Sequence, residues 1–181
     1  INFYKKVLKK KDQLIFDLGA NLGDKTHIFL SFSKNIICYE PEEDLVKKLK
    51  LRFRKYKNII IRNYVVIDQV KNINFFSVKG NESHSSILEG YINNFEDLKN
   101  TQVTQKKKDT TTLNEEINLY GIPYYCKIDC EGSEKLILKD LSHKIKIISF
   151  EANIPTFYQE TIDIIKIFNK KFKCTFNLRK D

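Results

Sequence analysis

With 181 residues, 41% of them hydrophobic and 30% charged, the chain can bury a substantial core and has the composition of one globular domain. No apolar run approaches the ~20 residues a membrane span needs, and no signal-peptide pattern opens the chain. The formal net charge of +9 would suit a nucleic acid or an anionic surface, but Lys, Asn and Ile recur throughout, which points to a compositional bias rather than a built patch.

In chain order the pattern is strand, helix, strand, helix. Residues 14–18 read as a buried strand, followed by a helical stretch over about 24–32. "NIICYEP" (35–41) is a second strand, with Pro41 at a plausible first helical position. The helix that follows runs through Tyr56 with an apolar stripe of Leu45, Val46, Leu49, Phe53 and Tyr56; its dense charges occupy the opposite, solvated face. "NIIIRNYVVID" (58–68) is a third strand and its exit loop, and "INFFSV" (73–78) an extra short one. Residues 79–100 read as a loop with at most one helical turn.

"TTTLNEEINLYGIP" (110–123) is a short helix: Thr112 and Glu115 form a capping box, Gly121 closes it and Pro123 prevents its continuation. "YYCKIDCEGSE" (124–134) is the fourth core strand opening into a helix through Leu141, and "IKIISFEANIP" (145–155) the fifth. A final helix carries Ile164, Ile165 and Phe168 inward, and "FKCTFNL" (172–178) is a last strand. Continuous apolar strands alternating with helices predict a doubly wound, mostly parallel α/β sheet. The chain opens on Ile and contains no Met, so truncation at one or both ends is expected.

Four cysteines form no CxxC pair, and the three histidines are scattered, so no zinc site is expected. Cys38 and Cys126 lie inside apolar strands and read as small buried hydrophobes, which suits a reducing, cytoplasmic setting.

"LIFDLGANLGD" (14–24) places Gly19 and Gly23 directly after the first strand. Glycine there permits a tight turn and close approach of a ligand at the carboxyl edge, where open α/β sheets bind their ligands. The G-A-N-L-G spacing lacks the middle glycine of a dinucleotide site. Asp17, two residues earlier, suits a cationic ligand better than a pyrophosphate. Glu40 ends the second strand, where a carboxylate can take both hydroxyls of a ribose. A ribose, an amino group and a positive charge without phosphate describe S-adenosylmethionine.

Together, "FDLGANLGD", "CYEP", "KIDCEGSEKLILKDL" and "ISFEAN" resemble the FkbM-like S-adenosylmethionine-dependent methyltransferases from about Leu14 to Asn153. "TTTLNEEINLYGIP" also fits, with Asn114 where Asp is common. The resemblance implies a Rossmann-like class I methyltransferase fold and methyl transfer to a hydroxyl of a sugar, glycan or small metabolite. It places Asp17, Gly19, Ala20, Asn21 and Gly23 at the methionine end, Glu40 with Pro41 beside it at the ribose, and Val66 to Asp68 at the adenine. "SHSSIL" (83–88) is similar to the family's serine-rich loop over the active site. The implied sheet has a sixth strand and a seventh, antiparallel one slotted between the fifth and sixth, so the last strand is expected to be missing from this chain.

For proton removal from a hydroxyl acceptor, the candidates are Asp129 and Glu131 in "KIDCEGSE", with Glu151 able to join them. Two acids at a sheet's carboxyl edge are costly unless used or paired. They suit a base, acceptor-orienting groups, or ligands of a divalent cation; a metal is possible here but not predicted. Glu134 reads as a partner of the next helix's amino-terminal dipole, and His84 as a bystander. An RNA or DNA N-methyltransferase is the alternative, on the positive charge and "NIPTFY" (153–158). A fold that binds the cofactor without catalysis is a further one.

Overall fold

The computed structural model describes residues 2–8, 12–80, 85–88 and 102–178. A short helix α1 (Asn2–Val7) precedes β1 (Ile15–Leu18), α2 (Asp24–Phe29), β2 (Ile36–Tyr39), α3 (Glu43–Arg52) and β3 (Ile59–Arg62). Then come β4 (Val65–Ile67), β5 (Asn72–Val78), β6 (Val103–Thr112), α4 (Leu113–Tyr120) and β7 (Tyr125–Ile128). Helix α5 (Glu134–Leu138), β8 (Ile147–Phe150) and α6 (Tyr158–Phe172) complete the described elements.

Five strands form an all-parallel sheet in the order β3-β2-β1-β7-β8. Period-two alternation divides their side chains between two cores. Phe16, Leu18, Ile37, Tyr39, Cys126 and Ile128 pack under α4, α5 and α6 through Ile117, Leu138 and Phe168. On the other face Ile15, Ile36, Cys38 and Tyr125 meet Phe29 of α2, and Leu49 and Phe53 of α3 and the turn after it. Asp17 and Lys127 alternate onto this second face; they are register partners on adjacent strands, and both are buried. The chain leaves β1 toward β2 and β3 and later returns to its other side at β7. The strand order therefore reverses between β1 and β7, where a crevice opens at the carboxyl edge.

A second sheet, β4-β6-β5, stands beside the first; β6 runs parallel to β4 and antiparallel to β5. Lys106 and Lys108 of β6 reach Glu42 and Glu43 at the start of α3, at 3.3 and 2.9 Å, and so tie the two sheets together at the crevice.

Several sequence expectations are corrected. Residues 65–67, expected as an exit loop, form β4, because β6 offers them a partner. β6 itself was not anticipated; residues 110–112 belong to it, and the capping box between Thr112 and Glu115 starts α4 only at Leu113. Pro41 precedes the N-cap Glu42 and is not the first helical residue. Helix α3 ends at Arg52, so Tyr56 is exposed while Leu45, Val46, Leu49 and Phe53 are buried as expected. Helices α2 and α5 also stop short, at Phe29 and Leu138. Residues 173–178 are not a strand: no strand pairs with them among the described residues, and Phe176 and Leu178 are exposed. Ile164 and Phe168 are buried but Ile165 only partly.

Candidate functional site: an acidic cleft at the reversal of strand order

A solvent-open cleft of about 670 Å³ lies where the strand order reverses, reaching from the ends of β1, β2 and β7 to the second sheet. Among the described residues, the side chains lining it include three carboxyl groups, of Glu40, Asp129 and Glu131, and no Lys, Arg or His. Among these described residues a phosphate would find no cationic side chain. A ligand that carries positive charge and hydroxyls finds acceptors on both walls.

Glu40 is 4% exposed. Its Oε2 accepts the backbone N–H of Asn21 at 2.8 Å, and its Oε1 accepts that of Glu42 at 2.9 Å. The carboxyl plane is therefore fixed, and each oxygen keeps a lone pair for a further donor. Burial pushes the Glu40 carboxyl up to about 7, against the opposing effect of the two amides. Asn21 reaches Glu40 because the G-A-N-L-G turn carries it at φ 50, a left-handed conformation that Asn tolerates. The wall beyond Glu40 is mostly apolar: Pro41, Tyr64, Val66, Phe75 and Ile87.

On the opposite wall, Asp129 follows β7 with its side chain 39% exposed. Glu131, at φ 50, presents its backbone carbonyl to the Ser86 hydroxyl, which donates to it at 2.8 Å. Carboxylate oxygens of Asp129, Glu131 and Glu151 lie within 4.8 Å of one another, a convergence the sequence could not display and a donor set that could hold a hard divalent cation. Burial, and then the neighbouring Asp129 charge, raise the Glu151 carboxyl above its ordinary value. Glu134 turns away from this group: its Oε1 accepts the Cys130 N–H at 2.8 Å and braces the turn, and burial raises its carboxyl to about 7.

The remaining residues singled out in sequence occupy different places. Gly19 lines the cleft, while Ala20 is buried behind it. Gly23 packs against α3 and the turn after it: a Cβ there would lie 2.7 Å from Leu49 and 2.6 Å from Phe53. Asp68 pairs with Lys139 at 2.6 Å, and this partner holds its carboxyl below the usual range. Asp17 is fully buried beneath the cleft floor. Its Oδ2 accepts the Thr26 hydroxyl at 2.6 Å, and its Oδ1 lies 3.5 Å from Lys127 Nζ without receiving a hydrogen bond. Burial raises the Asp17 carboxyl, and Lys127 and Thr26 lower it only in part. His84 lies outside the described residues.

Sequence reasoning passed over Lys127. A lysine inside the apolar run "YYCKI", two residues from an acid on the same strand face, was the available signal. It also passed over the aromatic wall contributed by Tyr64 and Phe75. Ser85 and Ser86 of the serine-rich segment do line the cleft, whereas residues 153–158 do not.

The family described as methyltransferase FkbM domain matches residues 17–178 of the chain. The crystal structure of methyltransferase FkbM from Methylobacillus flagellatus KT superposes with a TM-score of 0.54 at 14% identity, over 86% of this chain and 37% of that one. Precorrin-6y C5,15-methyltransferase from Geobacter metallireducens GS-15 superposes with a TM-score of 0.51 at 10% identity, over 91% of this chain and 69% of that one. The chain thus spans little more than a third of the length of its Methylobacillus neighbour. At these identities the superpositions establish the Rossmann-like fold alone. No curated protein matches the chain significantly.

Proposed function

Since the chain belongs to the methyltransferase FkbM family, we propose that it binds S-adenosylmethionine in the cleft and methylates a hydroxyl of a sugar, glycan or small metabolite. The observation that carries this reading is the make-up of the cleft, with Glu40 on one wall, Asp129 and Glu131 on the other, and no cationic side chain between them among the described residues. Bound there, the cofactor supplies a methyl group already activated on a sulfonium.

The protein's own part is alignment, exclusion of water and disposal of a proton. Glu40 offers its two remaining lone pairs to the ribose hydroxyls, its orientation fixed by the amides of Asn21 and Glu42. Pro41, Val66, Tyr64 and Phe75 form a face on which adenine is shielded from water. The turn at Gly19 and Asn21 holds the methionine portion, backed by Ala20 and shaped by the packing of Gly23; Asp17 acts from below. Asp68 sets the far end of the β4 loop through Lys139. Alignment of acceptor and methyl group can supply roughly 7–11 kcal/mol of the barrier. Asp129, Glu131 and Glu151 stand where the acceptor hydroxyl is to be oriented. One of them accepts its proton as the oxygen–carbon bond forms, an effect worth about 10²–10⁴-fold.

Calorimetry with S-adenosylmethionine, followed by mass-shift screening of hydroxyl-bearing acceptors, tests the proposal. A folded chain that gives no heat with the cofactor ends it. A product methylated on a nucleobase nitrogen, with binding that falls steeply with salt, would replace the hydroxyl acceptor by a nucleic acid.

A further inference from the structure

The buried ammonium of Lys127 meets four oxygens drawn from two strands. It donates to the carbonyl of Gly19 at 2.8 Å and to that of Leu18 at 3.3 Å. It also lies 3.2 Å from Asp129 Oδ2 and 3.5 Å from Asp17 Oδ1. The residue is 7% exposed, while Asp129 is open to the cleft. Asp17, Lys127 and Asp129 alternate onto one face of the sheet, so a column of charge runs from the interior to the cleft wall.

If neutralising Asp17 were the only requirement, the position would be an expensive solution. A buried ion pair is often matched or bettered by neutral residues of similar volume. Lys127 does more than neutralise. Its contacts to Leu18 and Gly19 fix the peptide planes that turn out of β1, and its contact to Asp129 fixes the carboxylate that ends β7. These are the two edges between which the crevice opens.

We propose that Lys127 is a positioning residue: its ammonium ties the end of β1 to the end of β7 and thereby holds the Gly19 turn and the Asp129 carboxylate in the arrangement the cleft requires. The inference builds on the reading of this cleft as the cofactor site. Burial opposes the charge on Lys127, but Asp17 and Asp129 outweigh it and raise the ammonium above its ordinary pKa.

Lys127→Met alone leaves Asp17 buried without its counter-charge, so the informative variant is Asp17→Asn/Lys127→Met, which removes both charges and keeps the volumes. In the full chain this double variant is expected to fold cooperatively yet to bind S-adenosylmethionine about tenfold or more weakly, the scale of a lost charge-assisted hydrogen bond. A crystal structure of it is expected to show Asp129 and the Gly19 carbonyl displaced. A purely structural role for Lys127 predicts parental affinity and an unmoved Asp129, and that result overturns the inference.

Should the double variant not fold, the parent protein supplies the second measurement. The ¹⁵N resonance of the Lys127 ammonium, which does not line the cleft, is expected to shift when S-adenosylmethionine is added to saturation; an unmoved resonance overturns the inference. A parent chain that binds no S-adenosylmethionine refutes the cofactor reading instead. The hold of Lys127 on Asp129 is then read from the Lys127 ammonium signal alone: its loss on Asp129→Asn is expected, and a signal unchanged by that substitution overturns the inference.

Discussion

A methyl group built onto Gly19 would lie 1.8 Å from the carbonyl oxygen of Asp129, so the ends of β1 and β7 can approach as they do only with glycine at this position. The atom in the way is backbone, one residue past the parallel ladder, where the Asp129 N–H still donates to the Leu18 carbonyl at 3.2 Å. Gly19 also sits at φ 70, which an L side chain adopts only with strain.

Gly19→Ala is therefore expected to cost more than about 2 kcal/mol, combining left-handed strain with the opening of a strand pair. Gly80→Ala is the control. Gly80 has φ 80 but, among the described residues, nothing within 4 Å of an added Cβ, so strain is the expected cost, about 1 kcal/mol. Urea unfolding of the two variants checks the difference; equal losses would mean that the β1–β7 approach is not tight.

Glu40 sets a pH dependence. Its carboxyl titrates near 7 in the folded protein, raised from an ordinary value of 4.5. Donors from a ribose need the carboxylate, so affinity for S-adenosylmethionine is expected to rise as pH increases through 7 and then level off. The slope below 7 approaches about tenfold per pH unit. Calorimetry between pH 5.5 and 8.5 reads the curve directly. Glu40→Gln should flatten it and weaken binding at pH 8 by about 10–100-fold, since the amide takes away acceptor capacity and faces a backbone donor.

The same group acts oppositely on the stability of the ligand-free chain. Between 4.5 and about 7 the folded state binds the proton more tightly than the unfolded state. Stability from this group is thus fully present below 4.5 and is lost as pH rises through 7, by up to about 3 kcal/mol. A melting temperature that falls from pH 5 to pH 8 in the parent, and falls less in Glu40→Gln, is the expected result.

How much of this was legible in sequence depended on where each signal was local. The βαβ alternation and the ends of strands were readable because continuous apolar runs mark buried parallel strands, and the Thr112–Glu115 box is a contact of neighbours in the chain. β6 was not, since "VTQKKKDTTT" has the look of a solvated loop; two of its three lysines, Lys106 and Lys108, are explained by Glu42 and Glu43, more than sixty residues away. The reverse holds for "FKCTFNL", which has a strand's alternation but no strand beside it among the described residues. At the site, Glu40, Asp129 and Glu131 could be picked out as acids at strand ends. The burial of Asp17 beneath Lys127, and the convergence of Glu151 on Asp129, depend on how strands lie side by side.

Glu116 is a second buried acid whose partners come from separate elements. It accepts from the Tyr39 hydroxyl at 3.1 Å, the Thr111 hydroxyl at 2.9 Å and Arg62 at 3.2 Å, joining α4 to β2, β3 and β6 behind the cleft. Glu116→Ala strands these donors and leaves the Arg62 charge without its carboxylate. The expected cost is about 3–5 kcal/mol, measured as a lower urea midpoint with little change in cofactor affinity of the folded fraction. A loss below 1 kcal/mol would mean that water replaces the carboxylate there.

Asp129 and Glu131 divide the proposed chemistry. Asp129 is tethered by Lys127 at 3.2 Å, which suits a group that must hold one orientation while an acceptor arrives. Glu131 stands on a turn whose carbonyl is pinned by Ser86. Neither should contribute much to holding the ribose, which lies on the Glu40 wall. Asp129→Asn and Glu131→Gln are therefore expected to leave S-adenosylmethionine affinity within a few-fold of the parent. The variant that removes the base should lower kcat by about 10²–10⁴-fold, whereas loss of an orienting group should raise the acceptor KM instead. Steady-state kinetics on an acceptor found by mass shift separates the two. If both variants keep full turnover, the proton is taken elsewhere, and Glu151→Gln becomes the next substitution to measure, because its carboxyl lies within 4.8 Å of the other two.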